Sequence, residues 1–166
     1  MSYIDTSVIV AALDPLDPRY EKARRLLEKE ENKIISELVL VELASIVARR
    51  EELISSIASK LGLRREEAIT TILLYISKRF NLRYRSTQGS TKLPLLGSIY
   101  KPIAAAIELS LPLKLRTLDL LHIAYAKLIK DKGETIQRLV TADKDYEKAR
   151  RALREKIGID LQLVEP

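Results

Sequence analysis

Ser2-Tyr3-Ile4-Asp5-Thr6-Ser7-Val8-Ile9-Val10-Ala11-Ala12-Leu13 runs from a short apolar stretch into an acid and two hydroxyl residues, then into a second apolar stretch. Ser2 to Asp5 reads as a strand, and the run from Val8 as the start of a helix. A matching pattern lies near the other end, where Gln137 to Ala142 reads as a strand that delivers Asp143. A helix over 145–157 and a last strand over Asp160 to Val164 follow it. Between the two ends, Asp17 before Pro18 is a helix-start pairing, and Tyr20, Ala23, Leu26 and Leu27 share one face of a helix that reaches Lys29. Lys33 to Ser36 reads as a second strand, with Ser36 capping a helix from Glu37 to about Arg50. Helical segments near 52–61 and 65–80 are separated by Gly62. The stretch 81–97, with Arg83, Arg85 and Lys92, reads as a basic, flexible loop. Helices over Ser98 to Leu109 and Thr117 to Lys132 complete the chain, the second ending before Gly133. Strands alternating with helices predict an α/β fold, a three-layer α/β/α arrangement around a parallel sheet.

Composition narrows the chemistry. The chain has 166 residues, which suits one domain over 1–166, and 46% of them are hydrophobic. It has no Cys and a single His, so disulfides, thiolate metal sites, cysteine nucleophiles and multi-histidine zinc sites are excluded. Any metal must be held mainly by oxygen, which points to Mg²⁺ or Mn²⁺. One Phe and no Trp leave little for large stacking platforms on single-stranded nucleic acid. A formal net charge of +6 attracts polyanions by counterion release. No leader-like or membrane-spanning run is expected, and a cytoplasmic protein is the default.

Against that positive background, four acids stand out. Asp5 and Asp143 sit where strands end, the edge at which parallel α/β sheets bind ligands. Each would serve equally well as a cap for the helix that follows. Glu42 lies within Val39-Leu40-Val41-Glu42-Leu43-Ala44, where a buried carboxylate needs a cation or donors unless it lies on a solvated face. Asp119 falls in the first turn of the helix Thr117-Leu118-Asp119-Leu120-Leu121-His122, where the dipole alone would favour it. Together they form the donor set of an all-oxygen metal centre, because clustered carboxylates stay ionised only with cations between them. Such a centre acidifies a water and stabilises the leaving oxygen of a phosphodiester.

Ile4-Asp5-Thr6-Ser7-Val8-Ile9-Val10, Ile35-Ser36-Glu37-Leu38-Val39-Leu40-Val41-Glu42, Leu115-Arg116-Thr117-Leu118-Asp119-Leu120-Leu121-His122-Ile123-Ala124 and Leu139-Val140-Thr141-Ala142-Asp143 are, in this order, similar to the motifs of the PIN domain family. The variety they most resemble is the VapC-like toxin nuclease. The resemblance implies a sheet of four or five parallel strands and Mg²⁺- or Mn²⁺-dependent hydrolysis of RNA, leaving a 5′-phosphate. It implies that Asp5, Glu42, Asp119 and Asp143 hold the metal, with Thr6 or Ser7 and Thr141 as nearby hydroxyls and Asp145 as an outer acid or helix cap. It further implies a homodimer and, within a toxin–antitoxin pair, a small antitoxin that blocks the site. The chain departs from the compact toxins by a longer helical and loop-containing insertion around 52–116.

Arg83, Arg85, Lys92 and Arg116 are candidates for gripping an RNA backbone, with a solvated surface as the plain alternative. His122, one helical turn beyond Asp119, is a candidate to orient an acid or a phosphate, with a packed helix residue as the favoured reading. Two other readings compete with the toxin: a PIN nuclease of RNA processing, and a nucleic-acid-binding PIN domain without catalysis. A phosphatase using Asp5 as nucleophile lacks the second adjacent acid it would need.

Overall fold

A parallel sheet whose two faces are both covered needs strands that are largely apolar, and the central strands here supply Tyr3-Ile4, Ile34-Ile35 and Leu139-Val140. The computed structural model describes residues 1–166. In it, β1 (Ser2–Ile4) leads to α1 (Thr6–Leu13) and α2 (Tyr20–Lys29), then β2 (Lys33–Ile35). Three helices follow, α3 (Glu37–Ala48), α4 (Glu51–Leu61) and α5 (Arg65–Arg79), before β3 (Leu82–Tyr84). A hairpin of β4 (Ser90–Leu93) and β5 (Gly97–Tyr100) precedes α6 (Lys101–Leu113) and α7 (Thr117–Asp131). The chain ends with β6 (Arg138–Thr141), a mixed helical segment over 144–157, and β7 (Asp160–Leu163).

The main sheet has five strands in the order β3-β2-β1-β6-β7, and every pairing in it is parallel. Helices flank it. Tyr3, Ile4, Ile34, Ile35, Leu139 and Val140 have no exposed surface, and they anchor a core that also takes in Val8 and Ile9 of α1, Val39 of α3 and Ile123 of α7. The chain passes from β1 outward to β2 and β3, then returns to place β6 on the other side of β1. Strand order therefore reverses between β1 and β6, and the crevice beyond their carboxyl ends is where the fold can admit a ligand.

Three expectations need correction. The stretch 81–97 is not a flexible loop. Leu82–Tyr84 adds the fifth strand to the sheet in register with Lys33–Ile35, and Ser90–Leu93 pairs antiparallel with Gly97–Tyr100. Leu82 is buried, and the Arg85 amide donates to the Ile35 carbonyl at 2.9 Å. A three-residue strand with one buried side chain leaves no periodicity to read. Next, α6 begins at Lys101 instead of Ser98, with Pro102 in the first turn where its missing donor costs nothing. Finally, 145–157 is not one regular helix. It is a 3-10 turn over Lys144–Ala149, a single α turn over Arg150–Ala152 and a π turn over Leu153–Ile157. Tyr146, Ala149 and Leu153 are all buried at spacings that a regular helix would also give, so the buried pattern does not announce the irregular turns.

Ile34 sits in the middle of the sheet with no exposed surface. Ile34→Ala should cost about 2–5 kcal/mol of unfolding free energy, through lost burial and the cavity left behind. Urea denaturation followed by circular dichroism measures it, and a loss well under 1 kcal/mol would show that β2 is not held as described.

Candidate metal centre

The four acids chosen from sequence arrive at the β1/β6 crevice by separate routes. Asp5 leaves the end of β1 and is 5% exposed. It occupies the N-cap position of α1 but makes no capping bond. Its Oδ2 instead accepts from the Ser7 hydroxyl at 2.8 Å and from the Thr141 hydroxyl at the end of β6. Ser7 Oγ and Thr141 Oγ1 in turn accept from the amides of Ala142 and Asp143, each at 3.0 Å. Two hydroxyls thus tie β1 to β6 through one carboxylate.

Asp143 points one oxygen at the Asp145 amide, 2.8 Å away, so the capping role holds for half of its carboxylate. Arg19, which sequence reading passed over, is held by Asp17 and donates to the Ala142 carbonyl at 2.8 Å. That contact fixes the β6 end from the loop before α2. Glu42 accepts from the Thr6 hydroxyl and, at 2.8 Å, from His122 Nε2. Burial pushes its carboxyl up, but the bond and charge of His122, with Thr6, more than reverse this and hold it below the usual carboxylate range.

Asp119 is the exception. Its Oδ2 is buried and meets no donor. Burial, then the charges of Asp143 and Asp5, push its carboxyl up to about 6. It stands in the first turn of α7, where the dipole favours it, but it forms no capping bond and lies near the charges of Asp143 and Asp5.

His122 corrects the expectation of a mere packing residue. It is 1% exposed, with Nε2 3.2 Å from Asp5 Oδ1 as well as 2.8 Å from Glu42. Its Nδ1 lies 3.0 Å from the Tyr3 hydroxyl, which lies 2.7 Å from Ser36 Oγ. Burial alone would lower the imidazole pKa, yet the charge of Asp5 and the bond to Glu42 raise it on balance. Two signals for this cluster were present in the sequence. Tyr3 lies in β1 two residues before Asp5, which follows the strand, and Asp119 and His122 share a helical face.

The outer candidates are spread more widely. Asp145 pairs with Arg116 at 3.4 Å and with Lys148 at 3.2 Å, which places Arg116 at the rim of the acidic crevice. Arg85 is paired with Glu134. Arg83 reaches Met1 and Asn32, at the amino-terminal edge of the sheet and away from the acids. Lys92 lies exposed on the hairpin, opposite Ser98. The structure therefore leaves only Arg116 of these four beside the carboxylates.

These residues fit a divalent cation. Asp119 offers a buried oxygen with no donor, Asp143 has one oxygen uncommitted within the hydrogen-bonding scheme, and Asp5, Glu42 and His122 each place a ligand atom within 4.8 Å of the other two. Oxygen donors dominate, as a hard cation requires.

A carboxyl whose folded pKa is raised from 3.8 to about 6 opposes folding once it ionises. Its cost is absent below pH 4 and complete somewhat above pH 6. In ion-free buffer, Asp119→Asn should therefore stabilise the protein progressively over that window, and added Mn²⁺ should reverse the order. Thermal melts of both proteins from pH 4 to 8 check this; a pH-independent difference would contradict it.

Three comparisons bear on this site. The model of the PIN domain family matches residues 2–152. Among solved structures, VapC20 of Mycobacterium tuberculosis, described as a sarcin-ricin-loop-cleaving toxin, superposes with a TM-score of 0.55 at 21% identity, over 90% of this chain and 95% of that one. VapBC2 of Rickettsia felis, bound to a DNA fragment from its promoter, gives 0.54 at 18% identity over 98% of each chain. No curated protein sequence matches significantly. The two superpositions share the fold, and the family match spans the strands and helices that carry Asp5, Glu42, Asp119 and Asp143: the chain belongs to the PIN domain family.

Proposed function

We propose that the protein is an endoribonuclease that hydrolyses RNA phosphodiester bonds with Mg²⁺ or Mn²⁺, and that it acts as the toxin of a toxin–antitoxin pair. The observation that carries the reading is the donorless buried oxygen of Asp119 facing two further acids. Acids arranged in this way all stay ionised only with positive charge between them; without it, Asp119 is driven towards its neutral form. Asp5, Glu42, Asp119 and Asp143 hold the ion. A divalent cation bound there supplies an acidified water and neutralises charge on the scissile phosphate. Ser7 and Thr141 fix the orientation of Asp5, and Thr6 fixes Glu42. Arg116, whose side chain is 81% exposed and within 3.4 Å of Asp145, supplies a cation at the rim for an incoming RNA phosphate. Water attacks phosphorus, the 3′ oxygen leaves, and the downstream fragment keeps a 5′-phosphate.

Two surfaces support the partners of this reading. A cavity of about 800 Å³ between α1, α3, α4 and α5 is lined by Val10, Leu43, Val47, Leu53, Ile72 and Ile76, with Arg50 and Lys60 among its lining residues. An antitoxin helix with apolar and acidic faces suits it, and α1 and α3 lead from it to Thr6 and Glu42. On α6, Ile103, Ile107 and Leu111 are 42%, 45% and 78% exposed and recur every fourth residue. In an antiparallel pairing about Ile107, Ile103 of one copy meets Leu111 of the other, which suits a two-fold homodimer. No helix is long and apolar enough to cross a membrane, and the proposed place of action is the cytoplasm.

Purified protein should cut RNA with Mg²⁺ or Mn²⁺ and stop when EDTA is added. Asp5→Asn should lower the rate on the order of 100-fold or more, since it removes charge from the ion's own ligand. Equal rates in the variant would mean that the cleavage belongs to another site or a contaminant.

A further inference from the structure

We infer that His122 is itself a ligand of the cation, giving the centre a nitrogen donor and a preference for Mn²⁺ over Mg²⁺. The inference rests on the proposed cation between the acids, and it concerns a residue outside the carboxylate set. Its first support is spacing. Two ligand atoms about 2.1 Å from one ion and at right angles stand about 3 Å apart. His122 Nε2 lies 2.8 Å from Glu42 Oε2 and 3.2 Å from Asp5 Oδ1, the separations of neighbouring ligands on a shared ion.

The second support is the far side of the ring. Ligand histidines are held through their other nitrogen by a hydrogen-bond partner that sets the tautomer. Here Nδ1 meets the Tyr3 hydroxyl at 3.0 Å, and that hydroxyl meets Ser36 Oγ at 2.7 Å, with all three residues buried. With a cation between the acids, the Nε2 proton that Glu42 accepts in its absence gives way to the ion: Nδ1–H donates to Tyr3, Tyr3 donates to Ser36, and the Nε2 lone pair is turned to the ion. Imidazole favours ions of the first transition row, whereas Mg²⁺ keeps to oxygen. A ring used only for packing would need neither Tyr3 behind it nor two acids in front.

Mn²⁺ bound to the protein provides the probe. Electron spin-echo spectroscopy should show modulation from a directly bound ¹⁴N in the wild type and none in His122→Asn. Calorimetric titration should show His122→Asn weakening Mn²⁺ by about 10–100-fold with a much smaller effect on Mg²⁺, and Tyr3→Phe, which keeps the ring, weakening Mn²⁺ by about tenfold. The wild-type spectrum alone decides the point should His122→Asn fail to fold. Bound Mn²⁺ without ¹⁴N modulation, or equal losses for both ions, overturns the ligand role and leaves the nuclease reading intact: His122 would then be a protonated bridge between the acids. Failure of the wild type to bind either ion removes both.

Discussion

Negative charge gathered in a half-buried crevice is the constraint around which the rest of the molecule is arranged. The environment treats its members unequally. Glu42 is met by a hydroxyl and an imidazole and is held ionised, whereas Asp119 keeps a buried oxygen without a donor and is pushed towards its neutral form. Two carboxyls of one site are thereby driven in opposite directions by their immediate partners. The nitrogen-bearing side chains are graded too. His122 lies inside the crevice, Arg19 grips the backbone beside it, and Arg116 stands at its mouth.

The fold supplies the convergence that such a site needs. Asp5 and Thr141 are far apart in the chain, yet β1 and β6 lie side by side because the sheet reverses its order between them. Hydroxyl bridges from Ser7 and Thr141 to a single carboxylate then lock the two strand ends together. Glu42 and Asp119 enter from α3 and α7, helices that pack with apolar faces on the same core. Packing thus fixes the positions of charges that would otherwise separate.

Strand-end acids were legible in the sequence because an apolar run stopping at a carboxylate has few meanings. The two acids embedded in apolar helices were legible because burying a charge is expensive. His122 and Tyr3 were harder. A helix histidine and a strand tyrosine each have a plain packing explanation, and only their meeting across sequence-distant elements reveals the Ser36–Tyr3–His122 chain. The basic stretch 81–97 misled for a different reason. Its arginines signalled polarity, while the pairing of Leu82–Tyr84 with β2 is a long-range backbone event that no local pattern announces. The uneven turn after Asp143 was hidden likewise, since buried positions at 146, 149 and 153 resemble an ordinary helix when written out.

β3 also occupies the outer position of the sheet, with one side paired to β2 and the other open. An open strand edge is a template on which neighbouring molecules polymerise. Brevity and cationic side chains are the usual deterrents, and this strand has both: three residues, with Arg83 within it and Arg85 just past its end. A strand of three residues offers a neighbouring chain little ladder to extend, so the sheet's growth sideways is limited at this edge by length above all.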